Sequence, residues 1–268
     1  MGKYFDLVGS GCVNLGPYYN AQLYKARLQA LERGMSFVGR SFYGSAVLEA
    51  GCGTGFYTEY CARRGVRSYT GIDITQTSVY SLQKRFPYFE FIQADISANL
   101  PSTLGNFDIV LAPDIMFHII PDDAFERAIR NLLFHLKPGG LFIVSDLFPS
   151  RKIHLAPHVC FHSVEEYVCL FSQNGLYVSH QEPIFFILYP LPLIFFLFGN
   201  NPQERGNRFW RCVRKMVRWG VFDRVFPLIA SWLDRRVFLP LITNINEKFL
   251  IPTMKWLFAI KRTKNGEA

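Results

Sequence analysis

Ala46-Val-Leu-Glu-Ala-Gly-Cys-Gly-Thr-Gly55 is the stretch on which the reading of this chain turns. Five residues suited to a buried strand run into three glycines at alternate positions, and residues 56–64 then read as a helix stopped at Gly65. Strand, glycine turn and helix in that order bring a ligand against bare backbone and offer it the free N–H groups of a helix N-terminus. Asp73 comes 22 positions after Gly51, at the end of a second strand over residues 68–73, where a carboxylate can take both hydroxyls of a ribose. Asp95 lies another 22 positions on, closing a third strand over 89–95. Ile74 and Ile96 follow the two acids and suit the two faces of a flat adenine ring.

Outward from this turn, strands and helices alternate. Residues 19–37 form an amphipathic helix with Leu23, Ala26, Ala30 and Leu31 on one face, and 78–86 a helix ended by Pro87. Residues 107–112 are a fourth strand. Asp122 or Asp123 caps a helix reaching Leu136, which Lys137-Pro-Gly-Gly140 ends, and 141–145 is a fifth strand. Ser163 and Glu166 have capping-box spacing and open a helix closed by Gly175. Residues 176–182 and 254–261 read as an antiparallel edge pair, and the long segment between them as an insertion. Parallel strands need helical crossovers, so this order predicts an α/β fold.

Five motifs now stand in sequence: Val47-Leu-Glu-Ala-Gly-Cys-Gly-Thr-Gly55, Gly71-Ile-Asp-Ile74, Ala94-Asp-Ile96, Phe107-Asp-Ile-Val-Leu111 and Leu136-Lys-Pro-Gly-Gly140. In them the chain resembles the class I S-adenosylmethionine-dependent methyltransferases, over residues 41–183 and a last strand near 254–262. The resemblance implies a Rossmann-like α/β fold: a mostly parallel seven-stranded sheet, an antiparallel edge pair and a helical insertion before the last strand. It divides the chain into an N-terminal helical cap (1–40), the methyltransferase domain (41–183 and 252–263) and the insertion (184–251). It implies S-adenosylmethionine as cofactor. Gly51, Cys52, Gly53, Thr54 and Gly55 would frame its methionine part, with Glu49 near the ammonium group. Asp73 would hold the ribose, Asp95 and Ile96 would address the adenine amine and ring with Ile74 on its other face, and Pro113 would belong to the cofactor site. Glu49 replaces the family's usual Asp and is one methylene longer. A dinucleotide dehydrogenase would instead favour GxGxxG, whereas Phe56 and Tyr57 follow Gly55 here.

Methyl transfer from a sulfonium is an in-line displacement, so orientation and exclusion of water carry much of the acceleration. A base is needed only if the accepting atom must lose a proton. Ala112-Pro-Asp-Ile-Met-Phe-His118 follows the fourth strand at the mouth where the methyl group would sit. His118 is the first candidate base, because imidazole titrates near neutral pH; the plainer reading is packing at a helix start. His154, His158 and His162 lie four apart, but Pro157 interrupts any helix there, so no metal is expected and His158 and His162 are read as lining the acceptor pocket. Tyr18, Tyr24, Arg27 and Asp114 are the substrate-side candidates, and the helix carrying the first three is either a lid or a cap.

Half of the 268 residues are hydrophobic and 19% are charged, which excludes disorder over most of the length. Six cysteines without a CxxC pair fit reduced thiols in the cytoplasm. The apolar run 184–198 is 15 residues long, holds Pro190 and Pro192, and is short for a membrane-spanning helix. The net charge is +8, and residues 184–251 hold ten Lys and Arg against four Asp and Glu. On a helical wheel, residues 205–219 set Phe209, Trp210, Val213, Met216 and Val217 opposite Arg205, Arg208, Arg211, Arg214, Lys215 and Arg218. Such a basic amphipathic helix suits an anionic membrane surface, and the alternatives are a solvated face or a homodimer interface. Basic charge confined to the insertion, and the lack of an Asn/Asp-Pro-Pro-aromatic signature after strand four, argue against a nucleic-acid substrate. The expected reaction is therefore methyl transfer to a hydroxyl or amine of a small-molecule, saccharide or lipid-linked acceptor. The alternatives are a non-catalytic protein that kept the fold, or an aminopropyltransferase-like enzyme.

Overall fold

The computed structural model describes residues 17–185, 220–240 and 254–263. Its elements in chain order are α1 (Pro17–Phe37), β1 (Ala46–Ala50), α2 (Phe56–Arg63), β2 (Ser68–Asp73), α3 (Gln76–Arg85), β3 (Glu90–Gln93), β4 (Phe107–Pro113), α4 (Asp122–Phe134), β5 (Leu136–Asp146), β6 (Ile153–Ala156), β7 (Val159–Phe161), α5 (Val164–Gln173), β8 (Leu176–Phe185), α6 (Gly220–Leu233) and β9 (Met254–Lys261). Seven strands form one sheet in the order β3-β2-β1-β4-β5-β9-β8. The pairs from β3 to β5 are parallel, and β9 runs antiparallel between β5 and β8, which is the Rossmann-like methyltransferase sheet with its antiparallel edge.

Strand side chains alternate between two apolar layers, as the period of two requires. Val47, Ile109, Leu111, Trp256 and Phe258 face the layer built by α1 and α2, to which Leu82 of α3 and Ala230 of α6 add. Leu48, Val110, Ala112, Leu257 and Ala259 face the layer built by α4 and α5. Both faces of the central strands are therefore dry, which explains why they read as continuous apolar runs. Among the described residues no helix is long and apolar enough to cross a membrane.

Three local expectations need correction. The residue flanking α4 is Pro121, which offers no side-chain cap, and Asp122 and Asp123 sit inside the first turn, where their charge favours the helix dipole. Lys137-Pro-Gly-Gly140 does not merely end that helix: β5 already starts at Leu136, paired with Phe107 across a register shift. The segment after β5, read as a loop, folds as the β6–β7 hairpin. The capping box at α5 is present in both directions, Glu166 N–H to Ser163 Oγ at 3.2 Å and Ser163 N–H to Glu166 Oε2 at 2.8 Å. Ile184 and Phe185 of the apolar run are the buried end of β8; the rest of that run and the 205–219 helix lie outside the described residues.

α1 lies close on the sheet because Gly34 has no side chain: a Cβ there would fall inside the Phe258 ring, which is fully buried. Alanine gains about 1 kcal/mol over glycine in a helix interior, whereas forcing a methyl into a packed core costs about 1–3 kcal/mol. Gly34→Ala should therefore lower the thermal midpoint by a few degrees. A rise in the midpoint would show that the Phe258 ring yields.

Candidate active site

The sheet order reverses between β1 and β4, and the site is built at the carboxyl ends of the strands on either side. The glycine turn is tied back by Gly51 N–H and Cys52 N–H to the Ile72 carbonyl at 2.7 and 3.1 Å, and by Gly55 N–H to the Cys52 carbonyl at 2.8 Å. Gly55 has φ 82, a left-handed conformation, and a Cβ there would strike Leu82. Because Gly55 stands at the N-cap of α2 and gives no side-chain cap, the first N–H groups of that helix are left to other partners.

Asp73 joins the turn to the next helix: Oδ2 accepts from Gly53 N–H at 2.8 Å, and Oδ1 accepts from Thr75 N–H and Oγ1 at 2.8 and 2.6 Å. Asp95 Oδ1 accepts from Ser97 N–H and Oγ at 2.8 and 2.7 Å. Both carboxylates keep lone pairs to spare. They line a cavity of about 540 Å³ together with Gly51, Ile74, Ile96, Ile115, Ile119, Pro121 and His118. Of the sequence candidates, Gly51, Asp73, Ile74, Asp95, Ile96 and His118 thus meet at one opening, while Glu49, Cys52, Gly53, Thr54, Gly55 and Pro113 belong to the glycine turn and the end of β4 behind it. Ile115, Ile119 and Ser97 were not singled out by sequence, and only their nearness to Asp114 and Asp95 could have found them.

Glu49 is buried and accepts from the Tyr69 hydroxyl, which also lies 2.8 Å from Thr58 Oγ1. Burial pushes its carboxyl up to about 8; the Tyr69 hydrogen bond opposes this and the neighbouring Asp73 charge reinforces it. Burial also holds the Cys52 thiol well above its ordinary range, so it is no thiolate nucleophile.

Asp114, just past β4, has φ 52; its N–H donates to Ser145 Oγ at 2.9 Å, and that hydroxyl donates to Asp114 Oδ1 at 2.6 Å. Arg27 reaches it from α1, Nε to Oδ2 at 2.7 Å, with the guanidinium 5.2 Å from the Tyr24 ring centre and 5.1 Å from Phe185. Burial alone would lower the Arg27 pKa, but the Asp114 charge overrides it and drives it upward. Tyr24 is buried with its ring 4.4 Å from Phe56, and Tyr18 is exposed. Tyr57, also buried, has a hydroxyl with no hydrogen-bond partner among the described residues.

His118 Nδ1 lies 3.3 Å from the His158 carbonyl oxygen, in the turn of the β6–β7 hairpin. A carbonyl only accepts, so the neutral ring carries its proton on Nδ1 and presents Nε2 as the acceptor. His158 itself is exposed and contributes its backbone here. His162 does not line the cavity: it is buried, stacked on Phe125 at 3.6 Å and 4°, with Nδ1 3.4 Å from Glu166. Burial lowers its pKa against the opposing Glu166 charge. His154 lies 3.8 Å from Cys160 Sγ, and among the described residues no three metal-ligating side chains converge.

A family profile described as a methyltransferase domain matches residues 47–140. The chain is 35% identical over 113 residues to the phthiotriol/phenolphthiotriol dimycocerosates methyltransferase of Mycobacterium tuberculosis, covering 41% of this chain and 40% of that one. It is 30% identical over 114 residues to the ubiquinone biosynthesis O-methyltransferase of Albidiferax ferrireducens, covering 41% and 44%. The chain thus spans about two fifths of the length of the curated relatives it matches. The structure of magnesium protoporphyrin IX methyltransferase from Synechocystis PCC 6803 with bound SAM superposes with a TM-score of 0.55 over 96% of this chain and 89% of that one, at 14% identity, a likeness of fold. The methyltransferase-domain match thus falls on the stretch from β1 to the start of β5, which holds the glycine turn, Asp73 and Asp95.

Glu49 and Asp146 are both buried acids pushed up to about 8, Asp146 by burial against the opposing Leu147 N–H and Tyr167 hydrogen bonds. Each is protonated in the fold at pH 6.5 and ionised in the unfolded chain, so its contribution to stability is lost as pH rises through 8. His162, with its lowered pKa, acts below this window, and Lys255, pushed down to about 8 by burial, acts above it. Stability of the ligand-free protein should fall between pH 6.5 and 8, by up to roughly 1 kcal/mol per pH unit for each acid. Glu49→Gln should flatten that slope in urea titrations; an unchanged slope would refute the assignment.

Proposed function

We propose that this methyltransferase domain moves the methyl group of S-adenosylmethionine to a hydroxyl or amine of a hydrophobic, saccharide or lipid-linked small molecule. The observation that carries the reading is the single cavity in which Gly51, Asp73 and Asp95 meet His118, whose imidazole is held in one tautomer.

The residues fit the cofactor on the evidence of their own imbalance. A buried acid with no cation near it is costly to ionise, and a positive ligand group at Glu49 relieves that cost. The glycine turn and α2 N-terminus receive the carboxylate end, Asp73 the ribose, and Asp95 with Ile74 and Ile96 the adenine. When bound, S-adenosylmethionine supplies an electrophilic methyl group on a sulfonium. His118 Nε2 takes the proton of the accepting atom, and the His158 carbonyl keeps that nitrogen turned away from the hairpin. Ile115, Ile119 and Pro121 keep water from the reacting atoms. Arg27 and Asp114, locked together, fix the loop that carries His118 and form a wall on the acceptor side with Tyr24 and Tyr18. The names of the two curated relatives, one a dimycocerosates methyltransferase and one an O-methyltransferase of ubiquinone biosynthesis, support a hydrophobic acceptor.

Calorimetry should show S-adenosylmethionine binding that Asp73→Ala weakens at least about tenfold, as loss of a hydrogen-bonding carboxylate implies. Binding should strengthen from pH 6.5 to 8 as Glu49 ionises, and Glu49→Gln should lose that dependence. With labelled cofactor and lipid extracts, His118→Ala should cut turnover by about 10²–10⁴ while cofactor affinity stays within a few fold. Undiminished binding by Asp73→Ala, or a methylated base in tRNA or duplex DNA, would overturn the reading.

A further inference from the structure

α6 exposes the wrong face for a soluble helix. Val225, Leu228, Ile229 and Trp232 fall at spacings of three, one and three, which places them on one side, and their exposures are 46, 55, 52 and 56%. The other side is the one the fold uses: Phe226 stacks on Tyr19 of α1 at 6.1 Å, and Ala230 and Ser231 are buried. The outward stripe is continued by Arg236, also exposed, in the π-helical turn Asp234–Phe238. Arg235 beside it donates to the Ser231 carbonyl and to Gln29 Oε1, both at 3.3 Å. Neither arginine forms an ion pair among the described residues, and Asp234 is turned inward. α6 lies along the stretch of α1, from Tyr19 to Gln29, whose Arg27 clamps Asp114 at the acceptor end of β4.

We propose that this face of α6 is a docking surface for an anionic membrane, with Val225, Leu228, Ile229 and Trp232 entering the headgroup–acyl boundary and Arg235 and Arg236 meeting lipid phosphates. An apolar stripe with an interfacial tryptophan and cations at its end is the composition that lies in such a boundary. A second copy of the chain answers it poorly: a twofold interface offers the same patch, which among the described residues has no carboxylate to receive the arginines. The proposal extends the reading of a hydrophobic acceptor, because it sets the acceptor end of the sheet beside the phase that holds such a molecule. Its test reads attachment without methyl transfer, so the two can fail separately.

The full chain is sedimented with phosphatidylcholine vesicles, with and without phosphatidylglycerol. Binding should require the anionic lipid and fall at least about tenfold in high salt. The pair Leu228→Ser and Trp232→Ser should abolish it. The pair Arg235→Gln and Arg236→Gln should weaken it about tenfold or more and remove its salt dependence. Cofactor affinity measured by calorimetry should stay unchanged in both variants, which shows that they fold. A wild type that ignores anionic vesicles at low salt overturns the proposal, as does binding that survives both variants. Dimerisation of the wild type, lost with Trp232→Ser and unaccompanied by vesicle binding, would assign the face to a second copy instead.

Discussion

The reversal of strand order between β1 and β4 is the constraint from which the site follows. The chain leaves β1 and builds outward through β2 and β3, then returns to lay β4 on the other side of β1. Crossovers on the two sides leave the carboxyl ends of β1 and β4 uncovered between them, and only backbone can line so narrow a gap. The glycines follow from this. A side chain at Gly51 would meet Ile115 across the gap, and one at Gly55 would meet Leu82 of the helix after β2. Asp73 and Asp95 then fall on the β2–β3 side, Asp114 and His118 on the β4 side. The placing of these side chains on two sides of one gap is therefore a consequence of topology.

Burial sets the charge state of what surrounds the gap. Burial pushes the Glu49 carboxyl toward its neutral form and the Asp73 charge adds to this, whereas the half-buried Arg27 guanidinium has the Asp114 carboxylate at 2.7 Å. The difference is a single partner. Asp146 and Lys255 make the same point from the opposite direction, since they are register partners on β5 and β9 yet do not pair. Asp146 turns to the Tyr167 hydroxyl and Lys255 to Gln181, and burial moves each toward its neutral form. In an interior this dry, two neutral groups with hydrogen bonds are no worse than an imperfect ion pair.

Much of the fold was legible because its signals are local and periodic. The β1–turn–α2 unit, the acid at the end of β2, the α5 capping box and the bounds of β9 need only residues close in sequence, whereas β3 stops at Gln93, two residues short of Asp95. What escaped reading depended on pairing. Leu136-Lys-Pro-Gly-Gly140 looks like a helix stop, and it becomes strand because Phe107 lies opposite Leu136. The β6–β7 hairpin turns on Pro157-His158 and has none of the Asn-Gly or Asp-Gly chemistry that announces a tight turn. The three histidines four apart suggested one group, but a hairpin separates them: His154 stays at the surface, His158 is in the turn, and His162 goes under Phe125. Glu49 was legible as a residue but not as a buried acid, since its partner Tyr69 comes from the next strand.

The hairpin also explains how a histidine in a short turn has a fixed ring orientation. His118 sits in a three-residue 3₁₀ turn, Met116–His118, too short to hold its own ring direction. The His158 carbonyl supplies that direction, and the hairpin carrying it is pinned at its base by Lys152 to Asp122 and Glu166 at 2.8 and 2.9 Å. Phe117 packs on Phe161 of the same hairpin at 5.2 Å, which ties the turn to its support a second time. A carboxylate in place of the carbonyl would add a charge as well as an orientation, and it would stabilise the protonated ring that a base must not already be. A peptide oxygen orients without that penalty. The hairpin, which carries no motif of the fold, is thus the element that sets the direction of the His118 ring.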